Sequence, residues 1–143
     1  MIGMEILQPA VVLMAWTMVM LAWLYATRLP AMGKAKVDLD KFVRDPELTL
    51  DRTLPPEVQW KAHNYAHLHE APTVFYAAAI VLAIVGQGDG LNAWLAWAYV
   101  VLRILHSLVQ ATTNKIPLRF GMFIVSSLVL IALILHAGIA VFQ

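Results

Sequence analysis

The stretch from Phe120 to Phe142 contains no Asp, Glu, Lys or Arg, and only Ser126, Ser127 and His136 interrupt its apolar character. A helix that is apolar on every side must be buried in a large core or lie in a bilayer, and 143 residues do not build a large core. The membrane is the consistent solvent. Three further apolar blocks repeat the signal: Ile6 to Leu29, Ala71 to Val85, and Leu91 to Leu102 continuing to Val109. A spanning helix needs about 20 residues to cross a hydrocarbon layer of ~30 Å. The first and last blocks meet this directly, and the middle two do so once flanking polar residues serve as outer turns. The composition agrees, with 61% hydrophobic and 13% charged residues against about 25% charged in a soluble domain. The expectation is an all-α integral membrane protein, a single four-helix bundle over 1–143 with helices at about 5–29, 57–86, 91–114 and 117–142.

The charges orient this bundle. Lys34, Lys36, Lys41, Arg44 and Arg52 fall in the long connection at about 30–56, and Lys115 and Arg119 fall beside the turn between the third and fourth helices. The turn Gly86 to Asn92 and both termini carry no Lys or Arg. The positive-inside rule then expects the termini outside and the connections at 30–56 and 112–117 in the cytoplasm. The first block lacks a basic leader region, carries Glu5 and exceeds the usual ~7–15 apolar residues of a signal peptide, so a retained helix is expected. Asp45-Pro46-Glu47 has the pattern of a helix start, and Pro55-Pro56-Glu57 opens the second span in the same manner. With no cysteine, disulfides, thiolate metal sites and a cysteine nucleophile are excluded. A net charge of +1 gives no reason to expect nucleic acid as a partner.

Two hydrophilic rows break the apolar pattern. His63, His67 and Glu70 recur at i, i+4 and i+7, within a narrow arc of the second helix at about 100° per residue. Pro72 follows, and its missing N–H predicts a kink there. On the third helix Arg103, His106, Gln110 and Asn114 recur at i, i+3, i+7 and i+11. Charges at membrane depth turn to the bundle interior and pair, so the two rows are expected to form a cationic pocket, with Arg119 beside it. Such a pocket suits an anion. Glu70 and Arg103 are also placed to form a structural ion pair. A third use of His63, His67 and Glu70 is a metal site, which would require a further ligand such as His106. His136, alone on the last helix, is expected to be a satisfied interfacial histidine, and the five Trp residues to be interface anchors or packing groups.

The segment Arg103 to Arg119, RILHSLVQATTNKIPLR, resembles the signature between the third and fourth helices of the MAPEG proteins, the membrane-associated proteins in eicosanoid and glutathione metabolism. HNYAHLHEAPTVFY, His63 to Tyr76, stands where that family carries Arg-x-x-x-Asn-x-x-Glu before an apolar run. The resemblance spans nearly the whole chain and points towards bacterial members, which would place it in the inner cell membrane. It implies a homotrimer of four-helix subunits holding glutathione between neighbours near the cytoplasmic side. By position it assigns Glu70 to the glutathione amino group, Arg103 and His106 to the lining, Arg28 to a carboxylate and Arg119 to the thiolate. A guanidinium beside a thiol favours the reactive thiolate.

The departures from the family pattern are equally specific. His67 replaces the motif Asn, His63 replaces the motif Arg, Ala66 stands where a second basic residue is frequent, and Phe120 stands where some members have serine. Gln110 replaces the tyrosine of eicosanoid-forming members. The leading expectation is a glutathione-dependent transferase or peroxidase acting on a lipophilic electrophile. The alternatives are a non-catalytic structural or accessory subunit, found in a larger membrane complex, and a His/Glu metal-binding membrane protein.

Overall fold

The computed structural model describes all residues 1–143, and they form helices only. Two long helices, α1 (Leu7–Lys34) and α7 (Ile116–Phe142), and a third, α6 (Leu91–Thr112), are continuous. The second span is divided into α4 (Pro56–His67) and α5 (Ala71–Ile84). All four spans are long and apolar enough to cross a membrane. The expected third helix ends two residues early, because Asn114 takes a left-handed conformation at φ 49° and its N–H bonds back to the Val109 carbonyl. Asparagine is one of the few side chains that tolerates this way of stopping a helix.

The connection between the first two spans contains two short helices, α2 (Leu39–Arg44) and α3 (Leu50–Thr53). Their N-caps are Asp38 and Thr49, whose side chains accept from the Asp40 and Arg52 amides at 3.1 and 3.3 Å. This corrects the expected helix start at Asp45. The Asp45 carboxylate instead accepts the Glu47 N–H at 3.0 Å and closes a local turn after α2. The start at Pro56 is as expected, with Pro55 as the capping residue.

The core lies where the spans meet. Phe75 stacks on Tyr99 with centroids 4.5 Å apart, among Leu13, Met20, Leu82 and Leu133. Outward positions such as Leu128 and Leu135 remain about three-fifths exposed, at 61% and 60%, a surface that water would not tolerate but hydrocarbon does. Hydroxyls at this depth return to their own helices: Thr17 donates to the Leu13 carbonyl at 2.9 Å and Ser126 to the Phe123 carbonyl at 2.9 Å.

Three polar ties hold the bundle together. Fully buried Ser107 on α6 accepts from the Trp16 indole N–H of α1 at 3.0 Å and from the Asn64 amide of α4. Near the end of α1, Arg28 donates to the Gln59 side-chain oxygen at 2.8 Å, while the Gln59 amide donates to the Leu50 carbonyl at 2.6 Å. At the opposite end, the Gly3 amide donates to the Ala83 carbonyl and the Ile6 amide to the Gly88 carbonyl, both at 2.9 Å. A Cβ at Gly88 would overlap the Gly3 carbonyl oxygen, so the α5–α6 turn can receive the N-terminal segment only with glycine there.

Ser107→Ala leaves an amide and an indole N–H without an acceptor in an apolar interior and should cost about 2 kcal/mol. Ser126→Ala, which removes only a bond within one helix, should cost less than about 1 kcal/mol. Unfolding of the purified protein in detergent measures both. Gly88→Val should lower stability by about 1–3 kcal/mol, and the same measurement on Gly121→Ala, where a Cβ meets nothing within 4 Å, supplies the contrast.

Candidate functional site

The site begins with a break in a helix. Pro72 stands at the second residue of α5 and has no N–H to offer the Leu68 carbonyl, so α4 cannot continue into α5 with regular bonds. The chain crosses the gap through tighter bonds, His69 N–H to the Ala66 carbonyl at 3.0 Å and Glu70 N–H to the His67 carbonyl at 3.2 Å. Two carbonyls at the break also take side-chain donors. Thr73 Oγ1 donates to the His69 carbonyl at 2.5 Å, and Arg103 Nη2 reaches the His67 carbonyl at a longer 3.4 Å. Arg103 is thus 97% buried, at 3% exposure, with a backbone dipole as its direct partner.

Around this break lies a cavity of about 320 Å³, within the range of ~300–1,000 Å³ usual for ligand clefts. His67, Glu70, Arg103, His106 and Arg119 supply its polar wall. Its other wall is apolar, formed by Ala71, Ile116, Phe120 and Phe123. Arg119 projects from the first turn of α7 and donates to the Asn114 side-chain oxygen, which the left-handed turn presents to it. Two guanidinium groups therefore face one carboxylate. The Arg103 Nε and both ring nitrogens of His106 are buried without a hydrogen-bond partner. Buried donors in that state are uncommon and costly, and they cluster where a ligand completes the bonding.

The hydrophilic rows do meet across one space, but they contribute unequally. His67, Glu70, Arg103, His106 and Arg119 converge there. Gln110 stands behind His67, its amide 3.0–3.1 Å from His67 Nδ1, and Asn114 acts beneath as the support of Arg119. His63 is outside the cavity, exposed and 3.3 Å from Asp51. The helix break divides the expected single stripe, because Glu70 no longer continues the spiral on which His63 lies. Arg28 is also outside, held by Gln59.

The expected ion pair between Arg103 and Glu70 is not formed. The two ion pairs of the structure are Arg52–Glu47 and His63–Asp51, and Arg103 uses the His67 carbonyl instead. The metal arrangement also does not assemble, since no three His, Asp or Glu side chains gather as a metal would require. His69 turns away from the cavity, with Nδ1 2.9 Å from the Tyr65 carbonyl and its ring edge-on to Tyr65.

Sequence reasoning passed over Asn64, which is 1% exposed and carries the tie to Ser107 while its neighbour His63 faces solvent. The available signal was spacing: Asn64 and His67, like Ser107 and Gln110, are i, i+3 pairs on helices that must dock. Trp16 likewise serves in the interior through its N–H rather than at the membrane interface.

No curated protein and no solved structure matches this chain. The MAPEG family model matches residues 6–139, taking in the first three spans, all but the last three residues of the fourth, the helix break and every residue of the cavity, and the chain belongs to the MAPEG family.

Proposed function

We propose that this membrane protein is a glutathione-dependent transferase or peroxidase whose lipophilic electrophile arrives from the bilayer. The observation that carries the reading is the meeting, in one cavity, of two guanidinium groups with an apolar wall at membrane depth. Glutathione supplies a thiol that reacts as its thiolate. The unpartnered donors Arg103 Nε and His106 fit a peptide rich in carboxylate and carbonyl acceptors. Glu70 offers a carboxylate to an ammonium group. Arg119, braced by Asn114, keeps donors in reserve to hold a negative sulfur. Ile116, Phe120 and Phe123 give that position an apolar wall, and the lower local dielectric of such a wall strengthens the hold of Arg119 on the charge.

A homotrimer with the ligand between subunits is part of the same proposal. Arg28 and His63, which lie away from the cavity of their own subunit, are then available to a subunit boundary. All ten Lys and Arg lie outside residues 1–27, 71–102 and 120–143, which supports termini outside and the cavity towards the cytoplasm of a bacterial inner membrane. One observation favours the second reading, a non-catalytic subunit of a larger membrane complex: Asn64, Ser107 and Gln110 are all engaged in helix-to-helix hydrogen bonds.

Glutathione at about a hundredfold its Kd should stabilise the purified protein by about 2.7 kcal/mol, read as a rise in melting temperature. Conjugation of glutathione to an aryl halide should fall about a hundredfold or more in Arg119→Ala and less in Arg119→Lys, followed by product absorbance. A wild-type protein that is neither stabilised nor active would overturn the enzymatic reading. Recovery of the protein within a larger assembly from mild detergent extracts would then support the accessory role.

A further inference from the structure

The end of the bundle opposite the connection at 30–56 has the reverse electrostatic character. Glu5 and Asp89 are its acidic side chains, and no Lys or Arg lies within residues 1–27, 71–102 or 120–143. A second cavity, of about 390 Å³, opens there between the α5–α6 turn and the last turns of α7. Gln87, Asp89, Asn92, His136 and Gln143 form its polar lining, and Leu91 contributes to the apolar part.

The hydrogen bonds around this cavity fix which atoms are free. The Asn92 amide nitrogen donates to the Gln87 backbone carbonyl at 2.7 Å, so the Asn92 side-chain oxygen is left as an acceptor. That oxygen lies 2.6 Å from His136 Nδ1. An acceptor there requires the proton on Nδ1, and a neutral imidazole protonated on Nδ1 carries its lone pair on Nε2. His136 lines the cavity with that lone pair unassigned, since its only bond in the fold is through Nδ1. Asp89 is similarly half used. Its Oδ1 accepts the Glu5 amide at 3.0 Å, leaving the second carboxylate oxygen without a protein donor. Asn92 is 8% exposed and its two bonds lock the arrangement. The cavity thus presents a carboxylate oxygen and an imidazole lone pair, two acceptors with no Lys or Arg in its lining to use them.

We infer that this cavity binds a primary ammonium group, with Asp89 compensating its charge and His136 Nε2 accepting one of its N–H bonds. An ammonium has three donors and no acceptor, the complement of what the cavity offers. A quaternary ammonium carries the same charge without any N–H and should be held less well. The ligand has two sources, the ethanolamine headgroup of a membrane phospholipid and a small free amine. The position at the membrane boundary makes both accessible. This inference concerns residues apart from Arg103 and Arg119 and stands or falls separately from glutathione chemistry.

Native mass spectrometry of the full chain tests it, released from detergent in the presence of phosphatidylethanolamine or phosphatidylcholine, with free ethanolamine as a competitor. Retention of phosphatidylethanolamine should exceed that of phosphatidylcholine by about tenfold, the worth of one charge-assisted hydrogen bond. Asp89→Asn, which keeps an oxygen for the Glu5 amide, should abolish the preference, and His136→Leu should reduce it. Competition by millimolar ethanolamine assigns the site to free amines, and its failure beside a retained lipid preference assigns it to the headgroup. Equal retention of the two lipids together with no effect of ethanolamine overturns the inference, as does an unchanged preference in both variants. Should Asp89→Asn fail to fold, His136→Leu alone decides, because it leaves the Glu5–Asp89 contact in place.

Discussion

A backbone carbonyl left without a donor in hydrocarbon costs several kcal/mol, and the break between α4 and α5 creates such carbonyls inside a membrane span. The rest of the site follows from how that cost is met. Pro72 forces the break, the His67 carbonyl turns to the Glu70 N–H, and Arg103 adds a second, longer N–H from the neighbouring helix. A buried guanidinium is itself expensive, and here part of that cost is offset by the His67 carbonyl that the break turns towards it. The same break turns Glu70 and His67 into the space in front of Arg103, so cavity and cationic wall have one origin.

Polar residues in the spans divide by whether their bonding capacity is spent. Asn64, Ser107 and Trp16 meet at one hydroxyl, and Gln59 bridges Arg28 to the Leu50 carbonyl. Those groups dock helices that hydrophobicity alone cannot hold together, because lipid tails solvate apolar surfaces equally well. His106, the Arg103 Nε and the distal donors of Arg119 retain capacity. Arg28, Tyr76 and Tyr99 also keep one buried atom without a partner, and what distinguishes Arg103, His106 and Arg119 is that all three line one 320 Å³ space.

Much of this was legible in the sequence because bilayer physics acts on averages. Four spans follow from length and hydropathy, the kink from a single proline, and the confrontation of two rows from the cost of charge in lipid. What escaped depends on single residues or distant ones. His63 and Asn64 are adjacent, and only the exact rotation of α4 decides that Asn64 enters the core while His63 faces Asp51. Asp45-Pro46-Glu47 satisfies the rule for an N-cap and equally that for a local Asx turn. The structure selects the turn because Thr49 caps the next helix four residues later. The approach of Gly3 to Gly88 joins segments far apart in the chain, and no local pattern encodes it. The Arg103–Glu70 pair failed for a similar reason, since charge complementarity was visible in the sequence whereas the place of the His67 carbonyl, to which Arg103 donates, is set by the helix break.

The segregation of charge ties the two cavities together. All ten Lys and Arg lie in one half of the bundle, together with seven of the nine Asp and Glu, and Glu5 and Asp89 stand at the other with the Phe75–Tyr99 core between them. Across a hydrocarbon layer of ~30 Å, with each surface screened by ions over roughly 8 Å, neither end neutralises the other. Each end therefore keeps its own local potential, positive beside Arg103 and Arg119 and negative beside Glu5 and Asp89. A bundle with Lys and Arg at both ends would lose this difference and also the asymmetry that orients it in the membrane. The Lys and Arg distribution that the positive-inside rule reads is thus the same one that sets the potential at each end of the folded protein.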